Sequence, residues 1–166
     1  MKPGQKLEMN DFVAPHVQVW EIACRCGCGF GTHFGDIDET VIADFEEIRA
    51  RCGGESITIN SGCRCRKHNE AIGGSPNSAH VEGKALDLSP PYGIGGFPER
   101  PEFVKICEEI VKDGGVGSKD YEKTGGVGSK DYEKTGGVGS KDYEKNGGKT
   151  GIVHIDCRTK PPKRRW

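Results

Sequence analysis

The stretch that decides the fold is Ser78-Ala79-His80-Val81-Glu82-Gly83-Lys84-Ala85-Leu86-Asp87, in which a loop histidine precedes a strand aspartate by seven positions. The segment from Lys84 to Ser89 alternates in polarity, which predicts a strand, and Gly83 lets the chain turn before it. Alternation places Asp87 on the polar face of that strand, beneath the loop that carries His80. The pattern therefore predicts that these two side chains meet.

A third candidate ligand lies in the last predicted strand, Gly151 to Cys157. Its apolar residues alternate inward, which leaves His154 and Asp156 together on the opposite face. A set of His80, Asp87 and His154 suits zinc and leaves one position of a tetrahedral ion open, as catalytic zinc sites do. The sequence therefore predicts a zinc centre built from two strands and one loop.

The rest of the chain alternates between short helices and strands. Apolar residues at three- and four-residue spacing, a cap at Asp38 or Thr40 and the Gly53-Gly54 stop predict a helix that ends near Cys52. Further elements are a strand from Ser56 to Asn60, a short helix from Arg66 to Ile72 and a helix from Pro101 to Val111. The sum is an α+β fold in a single domain, with a small, mainly antiparallel sheet and packed helices.

A tandem repeat interrupts this pattern. The eleven residues Gly-Gly-Val-Gly-Ser-Lys-Asp-Tyr-Glu-Lys-Thr begin at Gly114 and recur from Gly125 and, ending in Asn146, from Gly136. Three glycines per unit argue against a helix, and the period is too short for helical solenoids or propellers. We interpret the unit as a repeated loop or hairpin, and residues 114–146 as an expanded loop within one domain of residues 1–166. Residues 158–166 form a basic tail, for which we favour a solvated tail over one that touches an anionic polymer such as cell wall or nucleic acid.

Charge and hydropathy exclude several function classes. The chain has 24 Lys and Arg against 25 Asp and Glu, a net charge of −1, so it lacks the field that draws proteins to nucleic acid. No apolar run approaches the ~20 residues of a bilayer span, and the first residues are not those of a secretory signal. We expect no nucleic-acid partner, no membrane insertion, a monomer, and synthesis in the cytoplasm.

The chain has eight cysteines, and Cys24, Cys26 and Cys28 alternate with single residues. Two cysteines separated by one residue do not easily reach relaxed disulfide geometry, and reducing compartments keep thiols free. Two interpretations stay open for these three. The favoured one is free thiols in or near the core, because the spacing differs from that of ordinary zinc knuckles. The other is a second, structural zinc site with Cys63 or Cys65 brought near.

The stretch from Ser61 to Asp87 resembles the zinc D-alanyl-D-alanine carboxypeptidases and their relatives. These relatives include the phage L-alanyl-D-glutamate endolysins, which also cleave peptidoglycan. The Hedgehog amino-terminal domain is a relative by fold. The family pattern is Ser-Gly-aromatic-Arg, His-Asn, Gly-Gly, Asn-Ser-x-His and Gly-x-Ala-x-Asp, and here Cys63 stands at the aromatic position. Further matches are the opening from Trp20 to Gly29, Gly-Gly-Val-Gly, His154-Ile155-Asp156 and Trp166.

The resemblance implies that His80, Asp87 and His154 bind Zn²⁺ and that Arg64 pairs with a carboxylate or carbonyl of a peptidoglycan stem peptide. Many relatives carry an acidic residue three positions before the last histidine ligand, where this chain has Gly151. We therefore assign the general base to Asp156, with support of a ligand or of Arg64 as the alternative. Asp142 and Glu144 in the last repeat copy are further candidates, because that loop leads into the strand of His154. Ser78 is placed on the substrate-binding side, with a hydroxyl that positions its loop.

The implied function is zinc-dependent hydrolysis of peptide bonds in stem peptides, either as a D-Ala-D-Ala carboxypeptidase or as an L-Ala-D-Glu-type endopeptidase such as a phage endolysin. The alternative is a catalytically inactive, zinc-containing module of the same fold that binds cell wall or serves as a phage structural component. Gly151 and the expanded loop favour this alternative. The expected place of action is the cell wall, reached after release by another factor or after removal of a leader.

Overall fold

The computed structural model describes residues 1–89, 100–112, 114–117 and 152–158. The N-terminal part holds a hairpin of β1 (Phe12–Ala14) and β2 (Val17–Gln18), the short helix α1 (Val19–Ile22) and the long helix α2 (Glu39–Arg51). After them come β3 (Thr58–Ser61), α3 (Arg66–Ala71), a 3₁₀ turn (Ala79–Glu82), β4 (Ala85–Ser89), α4 (Arg100–Ile110), β5 (Gly115–Gly117) and β6 (Val153–Asp156).

The main sheet has four strands in the order β3-β4-β6-β5, and every neighbouring pair is antiparallel. Its two central strands, β4 and β6, are joined in a register that sets Asp87 directly opposite His154. Cross-strand partners in an antiparallel pair bring their Cβ atoms within about 5.5 Å. The prediction of an α+β fold with a mainly antiparallel sheet is therefore confirmed, and the sheet itself brings two of the predicted ligands together.

Helix α2 begins where the sequence predicts, because the Asp38 carboxylate accepts a hydrogen bond of 2.9 Å from the Thr40 amide. It ends at Arg51, and the C-cap Cys52 is followed by Gly53 and Gly54, both with positive φ, which glycine adopts without strain. Its apolar stripe packs against the sheet and α4 in one core. The buried residues of α2 and α4 in that core are Val41, Ile42, Phe45, Ile48, Phe103, Val104, Cys107 and Ile110.

The structure differs from the predicted elements in three places, and all three involve short strands or a short helix. The hairpin β1–β2 and the four-residue α1 are too brief for a periodicity to be detected. Strand β3 begins two residues later than predicted, at Thr58. The first copy of the repeat contributes β5, which pairs with β6, so this part of the predicted loop is a strand.

The remaining repeat residues, the predicted strand start at Gly151 and the tail beyond Arg158 lie outside the described residues. Within the described ranges, none of the helices has the length and apolar character needed to cross a bilayer.

Candidate metal centre

Three side chains meet at the polar face of the sheet. The Nε2 atom of His80 lies 3.1 Å from Oδ1 of Asp87 and 3.1 Å from Nδ1 of His154, and the last two atoms lie 2.8 Å apart. The three atoms thus form a triangle with nearly equal sides. The structure brings together the three residues that the sequence singles out as metal ligands.

His80 is held in one orientation by the backbone. It lies in the 3₁₀ turn before β4, and its Nδ1 atom is 2.6 Å from the carbonyl oxygen of Gly62. A carbonyl only accepts, so Nδ1 carries the proton and Nε2 keeps a free lone pair that faces Asp87. Burial lowers the pKa of His80 despite the nearby Asp87 carboxylate. The ring is therefore neutral, as a metal ligand must be.

The turn from His80 to Asp87 depends on Gly83. This residue closes the 3₁₀ turn with φ of 67°, and a Cβ atom there would overlap the carbonyl oxygen of Asp36. Both the backbone angle and the space require glycine. The predicted role of Gly83 in the turn is thus confirmed.

The Asp87 carboxylate divides its two oxygens between different partners. Oδ1 faces the two histidine rings, while Oδ2 lies 3.5 Å from an Nη2 atom of Arg64. Burial alone would raise the pKa of Asp87, but the charge and hydrogen bonds of His80 and His154 hold it well below its ordinary value. Asp87 is therefore an anion at neutral pH.

His154 lies between two carboxylates. Its Nδ1 atom faces Asp87, and its Nε2 atom lies 3.5 Å from Oδ2 of Asp156. Burial alone would lower the pKa of His154, but the two carboxylates outweigh burial and raise it to about 9. With no metal present, the ring is therefore a cation at neutral pH.

The three ligand atoms fit a zinc ion. Ligands at ~2.0–2.1 Å from tetrahedral zinc lie roughly 3.3 Å apart, close to the separations of 2.8 and 3.1 Å in the triangle. Two imidazoles and one carboxylate also make a donor set that zinc favours. Asp87 is about 15% exposed and His154 12% exposed, so the centre opens to solvent on one side. That opening leaves room for a fourth ligand.

Arg64 lies beneath this centre and is 6% exposed. Its guanidinium donates to Oδ1 of Asn69 at 3.1 Å and to the Ser61 hydroxyl at 3.3 Å, in addition to Asp87. The backbone amide of Arg64 also donates to the carbonyl of His80 at 3.0 Å. These contacts make Arg64 a support for Asp87, and its assignment to the substrate stays a prediction.

Asp156 is fully buried, on the side of the His154 ring away from the ligand triangle. Its Oδ1 accepts a hydrogen bond of 3.1 Å from the Arg158 amide, while Oδ2 has no hydrogen-bond partner among the described atoms and faces the ring. This position differs from the expectation that Asp156 reaches a water at the open coordination position. The contacts instead correspond to the alternative interpretation, support of a ligand.

Ser78 precedes the 3₁₀ turn and its hydroxyl makes no capping hydrogen bond there, so its expected roles toward the substrate and the loop stay predictions. Its carbonyl accepts from the Val81 amide at 3.1 Å. Within the described residues, the only carboxylates within 4.0 Å of the ring nitrogens of His80 or His154 are those of Asp87 and Asp156. The repeat acids Asp142 and Glu144 lie outside the described residues.

Sequence reasoning missed the role of Asn69, which is 1% exposed. Its side chain accepts from Arg64 and donates to the carbonyl of Ser75 at 2.8 Å. A Cβ atom at Gly74 would overlap this side chain, so the Gly73-Gly74 pair makes room for it. The His68-Asn69 pair in the motif was the available signal.

Comparison with known proteins supports this interpretation. A protein-family model described as Peptidase M15 matches residues 15–123, about two-thirds of the chain. The match includes His80, Asp87 and Arg64 and ends before β6, inside the first repeat copy. No curated protein and no solved structure gives a significant match. Because the family match covers more than half of the sequence and contains two of the three converging ligands, the chain belongs to the M15 peptidase family, whose members depend on zinc.

Proposed function

We propose that this protein is a zinc-dependent peptidase that hydrolyses peptide bonds in the stem peptides of bacterial peptidoglycan. The observation that carries the proposal is the triangle of His80, Asp87 and His154, with one side open to solvent. Membership of a peptidase family supports hydrolysis of an amide bond. The peptidoglycan substrate rests on the resemblance of the motif from Ser61 to Asp87.

Each ligand contributes a distinct property. His80 offers a neutral lone pair fixed by the Gly62 carbonyl, and Asp87 offers Oδ1 of a carboxylate whose Oδ2 faces Arg64. His154 must lose its proton before Nδ1 can coordinate, and its other nitrogen then donates to Asp156. Zinc, when bound, polarises a carbonyl group and lowers the pKa of a water ligand to about 7.

The reaction also requires proton transfer. Asp156, the base predicted from the sequence, lies behind the His154 ring, where its contact favours support of that ligand over proton transfer. Proton transfer by a positioned group contributes roughly 10²–10⁴-fold to rate, so an enzyme without a base would be slow but not inert. The identity of the base is therefore the part of the proposal that most needs a direct test.

A second candidate function is a zinc-containing module that binds cell wall without turnover. The specific observation that favours it is that, among the described residues, only the carboxylates of Asp87 and Asp156 lie within 4.0 Å of the ring nitrogens of His80 and His154, and Asp156 lies behind the His154 ring. Such a module would keep the metal and the fold and lose only hydrolysis. The two functions differ in whether soluble products appear.

The deciding experiment is to incubate zinc-loaded protein with purified peptidoglycan and to analyse the soluble products by mass spectrometry. The blank is His154→Ala, which removes one ligand. The matched control is His16→Ala, because this histidine pairs with Glu46 at the surface and is not a member of the triangle. The control should match the unmodified protein, and the blank should release nothing.

The product identifies the reaction. Free D-alanine would establish a carboxypeptidase, and larger stem-peptide fragments would establish an endopeptidase of the kind found in phage endolysins. Absence of product from folded protein with a measured zinc at this centre, across several wall types, would overturn the peptidase proposal. Co-sedimentation of that same protein with peptidoglycan would then support the binding module.

A further inference from the structure

Four cysteine sulfurs converge at a second place, outside the centre of His80, Asp87 and His154. The Sγ atom of Cys26 lies 3.4 Å from that of Cys24 and 3.6 Å from that of Cys65, and Cys28 completes a group whose sulfurs all lie within 4.8 Å of one another. All four are free thiols. Three come from the loop after α1, and the fourth comes from the start of α3, 37 positions beyond Cys28.

The backbone of the loop is shaped to point its thiols the same way. Gly27 and Gly29 have φ of 74° and 90°, so the chain coils tightly between and after the cysteines. The Gly27 amide donates to the carbonyl of Cys24 at 3.1 Å, and the Cys24 amide donates to the carbonyl of Phe30 at 2.8 Å. This coil explains how a single-residue spacing, unlike that of zinc knuckles, still brings three sulfurs together.

Backbone amides also donate to the sulfurs. The Cys65 amide lies 3.3 Å from Sγ of Cys24, and the His68 amide lies 3.3 Å from Sγ of Cys65. Thiolates, and not thiols, are the metal ligands, so these amides favour the ligating form.

Exposure separates three members of this cluster from the core thiols, while the fourth, Cys24, is buried. Cys26 and Cys28 are exposed and Cys65 is half-buried, whereas Cys52, Cys63 and Cys107 are buried in the core. The expectation that the first cysteines pack as free thiols in or near the core is therefore wrong for Cys26 and Cys28. Exposed thiols at this density have no packing role, and ions can reach them from solvent.

The distances between the sulfurs fit a shared metal ion better than a disulfide bond. Tetrahedral zinc with Zn–S bonds of ~2.3 Å places its sulfurs about 3.8 Å apart. A disulfide requires ~2.05 Å. The observed separations of 3.4 and 3.6 Å lie near the tetrahedral value. Four cysteine ligands leave no open position, which is typical of a structural zinc site.

We propose that Cys24, Cys26, Cys28 and Cys65 bind a structural zinc ion that fastens the loop after α1 to the start of α3. The surrounding contacts show what this ion would stabilise. The Cys63 amide donates to the carbonyl of Ile22 at 2.7 Å, and a Cβ atom at Gly62 would overlap the Ile22 backbone. Helix α1 thus lies directly on the segment that carries Arg64, the support of Asp87.

The test is the metal content of the full-length protein, purified with zinc in the buffers and measured by elemental analysis. Unmodified protein should hold two zinc ions per chain. The double variant C26S/C28S should hold one, and His154→Ala should hold one at the other centre. Cys52→Ala is the matched control, because it removes a cysteine at the end of α2 that lies outside the cluster, and it should hold two.

Cobalt substitution assigns the ion to its ligands without relying on hydrolysis. Cobalt-loaded His154→Ala should show the intense near-ultraviolet absorption of thiolate-to-cobalt charge transfer, and cobalt-loaded C26S/C28S should lack it. The proposal is overturned if His154→Ala binds no metal, if it binds iron instead of zinc, or if intact mass shows a disulfide within the cluster. Because this readout is spectroscopic, it stands or fails separately from peptidase activity.

Discussion

The Nε2 atom of His154 lies 3.5 Å from Oδ2 of Asp156, while Nδ1 of the same ring faces Asp87 at 2.8 Å. A histidine that presents one nitrogen to a metal and the other to a carboxylate is held in one tautomer and orientation. Asp156 is fully buried, and its Oδ2 has no other partner within the described structure. We therefore infer that Asp156 acts through His154, as a positioning residue.

The first prediction follows from this relationship. Asp156→Ala should weaken zinc binding by about 10–100-fold, the usual effect of removing such a carboxylate. Hydrolysis should return when zinc is supplied in excess. Asp156→Asn keeps an acceptor for the ring N–H and should lose less affinity. The measurement is zinc affinity by competition with a chelator, together with activity at saturating zinc.

A general base would behave differently. In that case both Asp156→Ala and Asp156→Asn would bind zinc normally and abolish hydrolysis at every zinc concentration. That outcome would contradict the positioning role and support the base predicted from the sequence. Comparing the two variants separates the two roles. A positioning role predicts that alanine weakens zinc binding more than asparagine does, whereas a general base predicts normal zinc binding in both variants.

The second prediction concerns Arg64. Arg64→Ala would remove the donor to Oδ2 of Asp87 and to Oδ1 of Asn69 in a buried place, so the free energy of unfolding of metal-free protein should fall by roughly 3 kcal/mol. Arg51→Ala is the control, because its pair with Glu109 is nearly half exposed and should cost less than about 1 kcal/mol. Urea unfolding measures both. Equal losses would show that the buried contacts are weak.

Arg64→Lys separates the two roles of this residue. Lysine keeps the charge but loses the planar fork that contacts three partners. If Arg64 only supports Asp87, zinc affinity should fall and KM at saturating zinc should stay unchanged. A raised KM with normal zinc affinity would instead establish the contact with a substrate carboxylate.

The third prediction concerns pH. In metal-free protein the pKa of His154 is raised to about 9, so zinc must displace a proton at neutral pH. Zinc affinity should therefore rise with pH, by up to ~10-fold per unit from this group, and level off near pH 9. Chelator competition across this range is the measurement. Affinity that does not change between pH 6.5 and 8.5 would show that His154 is already neutral.

The raised pKa of His154 also makes the free energy of unfolding of the metal-free protein fall as pH rises. Because the folded pKa lies above the unfolded value of ~6.5, the contribution is fully present below that value and is lost as pH rises through about 9. Asp156→Asn removes one of the two carboxylates that raise the pKa. As pH rises, the free energy of unfolding of metal-free Asp156→Asn should therefore fall less than that of the unmodified protein.

The ligands could be predicted from sequence because alternation in β4 and β6 fixes which side chains share a face. The register that sets Asp87 opposite His154 could not be predicted, because it depends on the pairing of two strands that are separated by more than sixty residues. The same limit explains why the position of Asp156 relative to the His154 ring could not be predicted. The polar face was predicted correctly, but the direction of the His154 ring decides whether the carboxylate lies before or behind it.

The cysteine cluster illustrates a different limit. Sequence spacing alone disfavoured a metal site, because Cys24, Cys26 and Cys28 do not have the separation of zinc knuckles. The fourth sulfur comes from Cys65 at the start of α3, and only the packing of α1 against Gly62 brings it near. Long-range packing of this kind has no local signal in the sequence.

The fourth prediction tests which repeat copy completes the sheet. A Cβ atom at Gly114 would overlap the carbonyl oxygen of Asp156, at the edge where β5 pairs with β6. Gly114→Ala should lower the free energy of unfolding by about 1–3 kcal/mol and weaken zinc binding through β6. Thermal unfolding and chelator competition measure the two effects. Gly125→Ala makes the identical change in the second copy and should have no effect; equal effects would contradict the assignment of β5 to the first copy.

The fifth prediction concerns deletion of residues 125–146, which removes two repeat copies and keeps β5. The connection from Gly117 to Val153 shortens from 35 to 13 residues, which lowers the entropy cost of closing the loop by about 0.9 kcal/mol. Zinc content and hydrolysis should be unchanged, and the free energy of unfolding should rise slightly. Calorimetry and product analysis of the shortened chain provide the measurements. Loss of hydrolysis with zinc retained would show that the repeats contribute to the active centre, and loss of folding would contradict a neutral expansion.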